Sequence, residues 1–407
     1  MAERSKTFCP LPFIHSHASV NGRWKPCCNS TWTTPTSESY FVDNSATHQK
    51  WFDSETMEQL RSDLLSGVKN SMCDVCWKQE KISGRSIRTR YVKKLDHLVD
   101  TNQPKIKYLD LKLSNECNLA CRMCDYTNSN QIYKDVSAIK EQNLYRPEHW
   151  HQSPTHDKFM NSKGIKTAPK HIIDEVKSLL PDLKMLKLTG GEPTVIPEVL
   201  ELFDICIEEG YAENLKLNIT TNGTKFNSKF LEKIKKFKDV HLNISCDGYE
   251  KVYDYVRYPF KWDKFAERMD DISKALQPNK LECSTAVLPQ MYNIENLHKL
   301  QQWGRKVSIP IGMNNILHPM TNYNSLKYMP VHILKWERKQ LKTTNENFQL
   351  IKTLDSLCSK PYQPTEFEEL KIVKSVQSID TVRNQDFRDY LEPMTTEWLE
   401  GLFKKYA

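Results

Sequence analysis

The sequence predicts an α/β fold in which a parallel sheet winds into a partial (β/α)6 barrel. Two observations predict it. Short apolar or β-branched runs alternate with helical patterns through the middle of the chain, and turn pairs such as Asn222-Gly223 and Asp247-Gly248 close several of those runs. Right-handed crossovers turn such βα units into a parallel sheet or barrel, and six strands are too few to close an eight-stranded barrel. Ligands then gather at the C-terminal ends of the strands.

The expected strands are Tyr108–Leu113, Met185–Thr189, Leu215–Thr221, Val240–Ser245, Leu281–Leu288 and Ile309–Met313. The expected helices between them are Lys170–Leu180, Glu198–Glu209, Ser228–Phe237, Lys261–Leu276 and Asn293–Trp303. Between the first two strands, from Tyr126 to Thr167, runs a long polar, aromatic-rich connection carrying Tyr145, His149, Trp150, His151 and His156. A connection of this length reads as either functional or disordered.

Residues 1–100 read as a loop-rich module with a turn at Asn21-Gly22 and one helix, Ser54–Leu65. Residues 101–318 form the barrel, and 319–407 a helical extension with helices near His332–Leu341, Phe367–Val376 and Thr396–Lys405.

A chain of 407 residues with 39% hydrophobic content buries a substantial core. Its net charge of +7 permits an acidic partner without requiring one. No run is long and apolar enough to span a bilayer, and the first residues lack a signal-peptide pattern, so no membrane partner and a cytoplasmic location are expected. In that reducing compartment 12 cysteines point to metal ligation rather than disulfides. Cys206, Cys246, Cys283 and Cys358 lie scattered in apolar surroundings and read as buried small hydrophobes.

The decisive motif is Cys117-Asn-Leu-Ala-Cys121-Arg-Met-Cys124, with the spacing C-x3-C-x2-C. Three thiolates in one loop can ligate three irons of a [4Fe–4S] cluster and leave the fourth open for chemistry. A zinc site short of one ligand is the bland alternative. Gly190-Gly191-Glu192-Pro193 follows the second strand, where glycines admit a ligand close to the backbone and Glu192 offers an acceptor for an ammonium group. Thr220-Thr221-Asn222-Gly223 and Ile244-Ser245-Cys246-Asp247-Gly248 end the next two strands.

From about Lys107 to Asn315 the chain resembles the radical S-adenosylmethionine (radical SAM) superfamily. The resemblance implies that Cys117, Cys121 and Cys124 hold a [4Fe–4S] cluster whose open iron chelates S-adenosylmethionine, which is cleaved reductively to a hydrogen-abstracting 5′-deoxyadenosyl radical. It implies that Gly190, Gly191, Glu192 and Pro193 bind the methionine amino group, and that Asn222, Ser245 and Asp247 contact the cofactor. Met123 stands where the family often has an aromatic residue over the adenine, and Val287 and Leu288 would pack on the same base. An electron donor such as flavodoxin or ferredoxin is implied too.

The N-terminal cysteines form a second pattern: Cys9, twelve residues, Gly22, four residues, Cys27, and later Cys73-Asp-Val-Cys76. It resembles the twitch module, a shortened relative of the SPASM domain, which implies an auxiliary [4Fe–4S] cluster and hence two clusters in all. Cys28 is an alternative to Cys27, and zinc an alternative to iron–sulfur. Relatives with such modules usually carry them after the barrel, whereas here the module precedes it. The expected substrate is a peptide, a protein or a small metabolite. A nucleic acid is the second reading, resting on the basic run Lys78–Lys94 with Arg85, Arg88, Arg90, Lys93 and Lys94. A non-enzymatic iron–sulfur or zinc protein is the third, and it leaves the strand-end motifs without a purpose.

Overall fold

In the computed structural model the described residues are 4–150, 161, 163–226, 228–276, 281–313 and 323–406. They form a mixed α/β fold with an open sheet, divided into two compact units.

The first unit comprises Met1–Asn115, Lys166–Thr220 and Asn227–His241. Its strands are β1 (His15–Ala18), β2 (Trp24–Lys25), β3 (Tyr108–Leu111), β4 (Met185–Leu188) and β5 (Lys216–Thr221, whose last residue passes into the second unit), in the order β2-β1-β3-β4-β5. β1 and β2 make an antiparallel hairpin closed by the Asn21-Gly22 turn, and β1, β3, β4 and β5 run parallel. Leu109, Leu111, Leu186 and Leu188 are buried on one face of β3 and β4. Helices Lys170–Leu179 and Pro197–Glu208 follow the expected stripes, and Phe203 of the latter meets Phe230 and Phe237 at 5.7 and 5.3 Å.

Residues 1–100 are more structured than the sequence reading expected. Besides helix Glu55–Leu65, capped by Ser54, they contain helices Asp74–Ser83 and Ile87–Leu95 and the two strands β1 and β2. His-Ser-His-Ala has little intrinsic strand preference. It is a strand because β3 supplies a partner edge, and such pairing outweighs propensity. Arg88, counted in the basic run, is buried: it pairs with Glu80 at 2.6 Å and donates to the Phe8 carbonyl. That removes it from any surface for nucleic acid.

The second unit comprises Glu116–Ile165, Thr221–Phe226 and Leu242–Ala407. It holds most of β6 (Asp239–Ser245), then β7 (Leu281–Ala286) and β8 (Ile311–Gly312), in the order β6-β7-β8, with β7 and β8 parallel. The connection after Tyr126 is not a structureless loop. Ser129 caps a helix, Asn130–Glu141, which buries Ile132, Val136 and Ile139 at helical spacing. These side chains share a core with Ala120, Tyr126, Trp150 and Ile379. His151 and His156 lie outside the described residues. Helices Val331–Gln340, Phe348–Ser359, Glu366–Arg383 and Pro393–Tyr406 complete the unit. Phe348–Ser359 was not expected, and Glu366–Arg383 runs seven residues past its expected end at Val376, to a left-handed Asn384. Among the described residues no helix is long and apolar enough to cross a membrane.

Candidate functional site

The loop Cys117–Cys124 leaves the sheet without regular structure, so each of its polar groups needs a specific partner. Cys117 N donates to Asn130 Oδ1 (2.9 Å), Ala120 N to the Tyr258 carbonyl (2.8 Å), and Arg122 N to the Val256 carbonyl (2.9 Å). Trp150 Nε1 donates to the Cys124 carbonyl at 2.8 Å, and His149 Nε2 to that of Arg122 at 3.1 Å. His149 and Trp150 thus brace the loop.

Arg122 is completely buried. Its guanidinium pairs with Asp380, donates to the Tyr255 carbonyl (3.0 Å) and Gln385 Oε1 (3.0 Å), and stacks 3.4 Å from the Tyr255 ring centroid. The charge is therefore paired inside the protein.

The three thiols lie within electrostatic range of one another. Burial pushes Cys124 well above the usual thiol range, followed by Asp125, Cys121 and Cys117. Burial raises Cys121 as well, against the pull of Arg257. Asn222 is buried at the end of β5, donates to Cys117 Sγ (3.8 Å) and to Asn118 Oδ1 (2.9 Å), and accepts from Thr224. Asp247, after β6, receives Arg257 Nη1 at 2.8 Å on one oxygen and Leu288 N at 2.7 Å on the other. Ser245 and Met123 are half-buried.

In the first unit, Gly190 follows β4 with φ +116°, and a Cβ there would stand 3.0 Å from the Ser114 carbonyl oxygen. Only glycine meets both conditions cheaply. Gly191 N donates to that same carbonyl at 2.9 Å. Glu192 is buried and accepts from Thr194 N (3.1 Å) and Oγ1 (2.8 Å), which opens the short turn Pro193–Val195.

The N-terminal thiols of the same unit also converge. Cys9, Cys27, Cys73 and Cys76 line one cavity. Burial raises all four, Cys73 to about 12. Cys28 does not line that cavity; it is exposed and acts electrostatically on Lys187, Tyr91 and Tyr108. Among the described residues, no three His, Cys, Asp or Glu side chains converge on a point one metal ion would occupy.

Residues 111–304, which contain the cysteine loop, the Gly-Gly-Glu-Pro turn and the ends of β5 and β6, match the family model of the radical SAM superfamily. That stretch is similar to radical SAM domains. The chain is 32% identical over 157 residues to an uncharacterized protein of Methanocaldococcus jannaschii, covering 38% of this chain and 43% of that one. It is 28% identical over 187 residues to GTP 3′,8-cyclase of Aliarcobacter butzleri, covering 46% and 49%. The chain thus spans less than half the length of these curated relatives. Among solved structures, Streptococcus suis SuiB bound to S-adenosylmethionine is similar with a TM-score of 0.38 and 12% identity, over 88% of this chain and 76% of that one. Characterised relatives of the superfamily are enzymes, and the family implies a [4Fe–4S] cluster and S-adenosylmethionine.

Sequence reasoning missed several residues that shape these sites: Arg122 with Asp380, Asn118, Arg257, and a buried polar row on β1, β3 and β4. The signals were present as His-x-His at 15 and 17 and as Asp110 inside an otherwise apolar strand. A charge in mid-strand demands a partner.

Proposed function

We propose that this chain is a radical SAM enzyme in which Cys117, Cys121 and Cys124 ligate a [4Fe–4S] cluster, acting on a peptide, protein or small-molecule substrate. The observation that carries the reading is the bond from Asn222 Nδ2 to Cys117 Sγ, which joins a strand-end motif to the first cysteine in space. When bound, the cluster and S-adenosylmethionine supply a 5′-deoxyadenosyl radical that abstracts hydrogen.

The protein's own groups prepare for that chemistry. The donor set fits the cluster: three thiols in one braced loop, none of them in a disulfide. Gly190 and Gly191 leave backbone space for the methionine end, and Glu192 offers it a carboxylate. Asn222 and Ser245 offer small polar groups at strand ends. Asp247 keeps lone pairs free beyond its bonds to Arg257 and Leu288 N, so it still serves as an acceptor. Met123 covers the site with an apolar side chain.

Cys9, Cys27, Cys73 and Cys76 hold a second cluster. The cavity that all four thiols line supports a shared metal site, and zinc, which takes four such ligands, stays the alternative to iron–sulfur. Cys27 is the fourth ligand and Cys28 is not. The division at residues 100 and 318 stays a functional one: auxiliary module, catalytic core and helical cover. Relatives by name act on GTP or on a pterin, which keeps small molecules beside peptides as substrate classes.

The test is anaerobic reconstitution with iron and sulfide, then incubation with S-adenosylmethionine and dithionite. About eight irons per chain and release of 5′-deoxyadenosine are expected. A fully loaded protein that neither binds nor cleaves S-adenosylmethionine overturns the reading.

A further inference from the structure

One face of the sheet in the first unit carries an unbroken polar row. The strand registers place Lys25 of β2 opposite His17 of β1, His17 opposite Asp110 of β3, Asp110 opposite Lys187 of β4, and Lys187 opposite Asn218 of β5. Paired residues project to the same face, as do residues two apart, so His15 and Lys112 join them. The opposite face of β3 and β4 holds the buried leucines already described. Placing two imidazoles, a carboxylate and an ammonium on an interior strand face is costly unless they are used or mutually satisfied.

Mutual satisfaction accounts for only part of the row. Asp110 is almost fully buried and is matched by Lys187 Nζ at 2.8 Å, with His17 Nδ1 at 3.5 Å and Thr189 Oγ1 at 3.3 Å. That pair is neutral overall. Around it, both imidazoles are 2% exposed, and His17 Nδ1 faces the Asp110 carboxylate. Among the described residues Lys25 and Lys112 have no carboxylate within ion-pair distance, and Lys25 donates to the Ser30 carbonyl at 2.9 Å. Lys25 and Lys112 are like charges on one face of the sheet, so they repel. The surplus is the two ammonium groups of Lys25 and Lys112, since His17 already faces Asp110.

We infer that this row is a binding site for an oxyanion of the substrate, a carboxylate or a phosphate, held by Lys25, Lys112 and Lys187 in front of His15 and His17. An oxyanion accepts several charge-assisted bonds at once and relieves the repulsion between the lysines. A metal ion suits the row less well, because Lys187 already occupies Asp110. Lys187 is 21% exposed, and Lys25 and Lys112 are half-buried, so the cationic side is the open one. The site lies on β4, with Lys187 three residues before Gly190. The inference rests on the radical SAM reading only in assigning the anion to a substrate.

The experiment is calorimetric titration of the cluster-loaded full chain with inorganic phosphate and, separately, with acetate. Each is run with and without saturating S-adenosylmethionine. Saturable binding of at least one anion is expected, with a dissociation constant of about 1–10 mM. Lys112→Gln and Lys25→Gln should each weaken it by about tenfold, roughly 1.4 kcal/mol. Neither lysine has an acidic partner among the described residues, so neither change removes an ion pair seen there. A response to acetate alone assigns a carboxylate, and one to phosphate alone a phosphoryl group. Absence of binding, binding indifferent to both substitutions, or binding abolished by S-adenosylmethionine overturns the inference; the last would mean that the row holds the cofactor's own carboxylate. Release of 5′-deoxyadenosine from the same sample tests the radical SAM reading separately.

Discussion

Arg122, set between two thiols of the cysteine loop, forms a buried ion pair with Asp380 on helix Glu366–Arg383. Tyr255 completes the arrangement, donating from its hydroxyl to Asp380 Oδ1 at 3.0 Å while its ring faces the guanidinium. One turn of a C-terminal helix therefore holds the loop that carries the thiols. A buried pair of this kind adds little net stability over an apolar replacement, but breaking it leaves a charge unmatched.

Asp380→Ala should accordingly destabilise the protein by about 3–5 kcal/mol, with Asp380→Asn less severe. Urea unfolding of the two variants checks this, and iron content after reconstitution should fall in the same order. A wild-type unfolding midpoint in Asp380→Ala would show that Arg122 finds another partner.

The cysteine assignments separate by iron counting. Cys117→Ala should lose one cluster's iron and abolish 5′-deoxyadenosine release. Cys27→Ala should lose the other cluster's iron, whereas Cys28→Ala should retain both, because Cys28 stands outside the cavity lined by Cys9, Cys27, Cys73 and Cys76. Equal losses in Cys27→Ala and Cys28→Ala would return the choice between them to the open state.

Stability should fall as pH drops from neutrality. Burial lowers His15 and His48 to about 3 and lowers His17 as well, so in the folded protein these rings stay neutral where the unfolded chain protonates them. Below an unfolded value of 6.5 the unfolded state binds more protons, and each ring costs about 1.4 kcal/mol per pH unit until its folded value is reached. Asp110 acts in the same sense. Burial opposes its charge, but Lys187 and His17 hold it well below the carboxylate range, a contribution lost only in strong acid. Urea titrations at pH 7.5 and 5 measure the slope, and a His15→Asn variant should flatten it.

Gly190→Ala should cost about 1–3 kcal/mol through its left-handed backbone and the Ser114 carbonyl 3.0 Å from the new methyl. Affinity for S-adenosylmethionine should fall with it, read by equilibrium binding. Unchanged affinity at unchanged stability would mean that the turn tolerates a β region shift and that no ligand approaches there.

What the sequence by itself determined was local. Periodicity located the six core strands and their helices to within a few residues, because apolar spacing reports directly on which face a segment buries. Ser54 and Gly22 marked a cap and a turn for the same reason: each answers a backbone need within its own few residues. The motif Cys117–Cys124 was legible because its thiols lie close along the chain. Long-range partners decided the rest. β1 became a strand by pairing with β3 across about ninety residues, Arg122 turned inward because Asp380 was waiting 258 positions away, and Cys27 parted from Cys28 only when the cavity formed. The row from Lys25 to Asn218 depends on the register of five strands, and register is a property of pairing that no single segment contains.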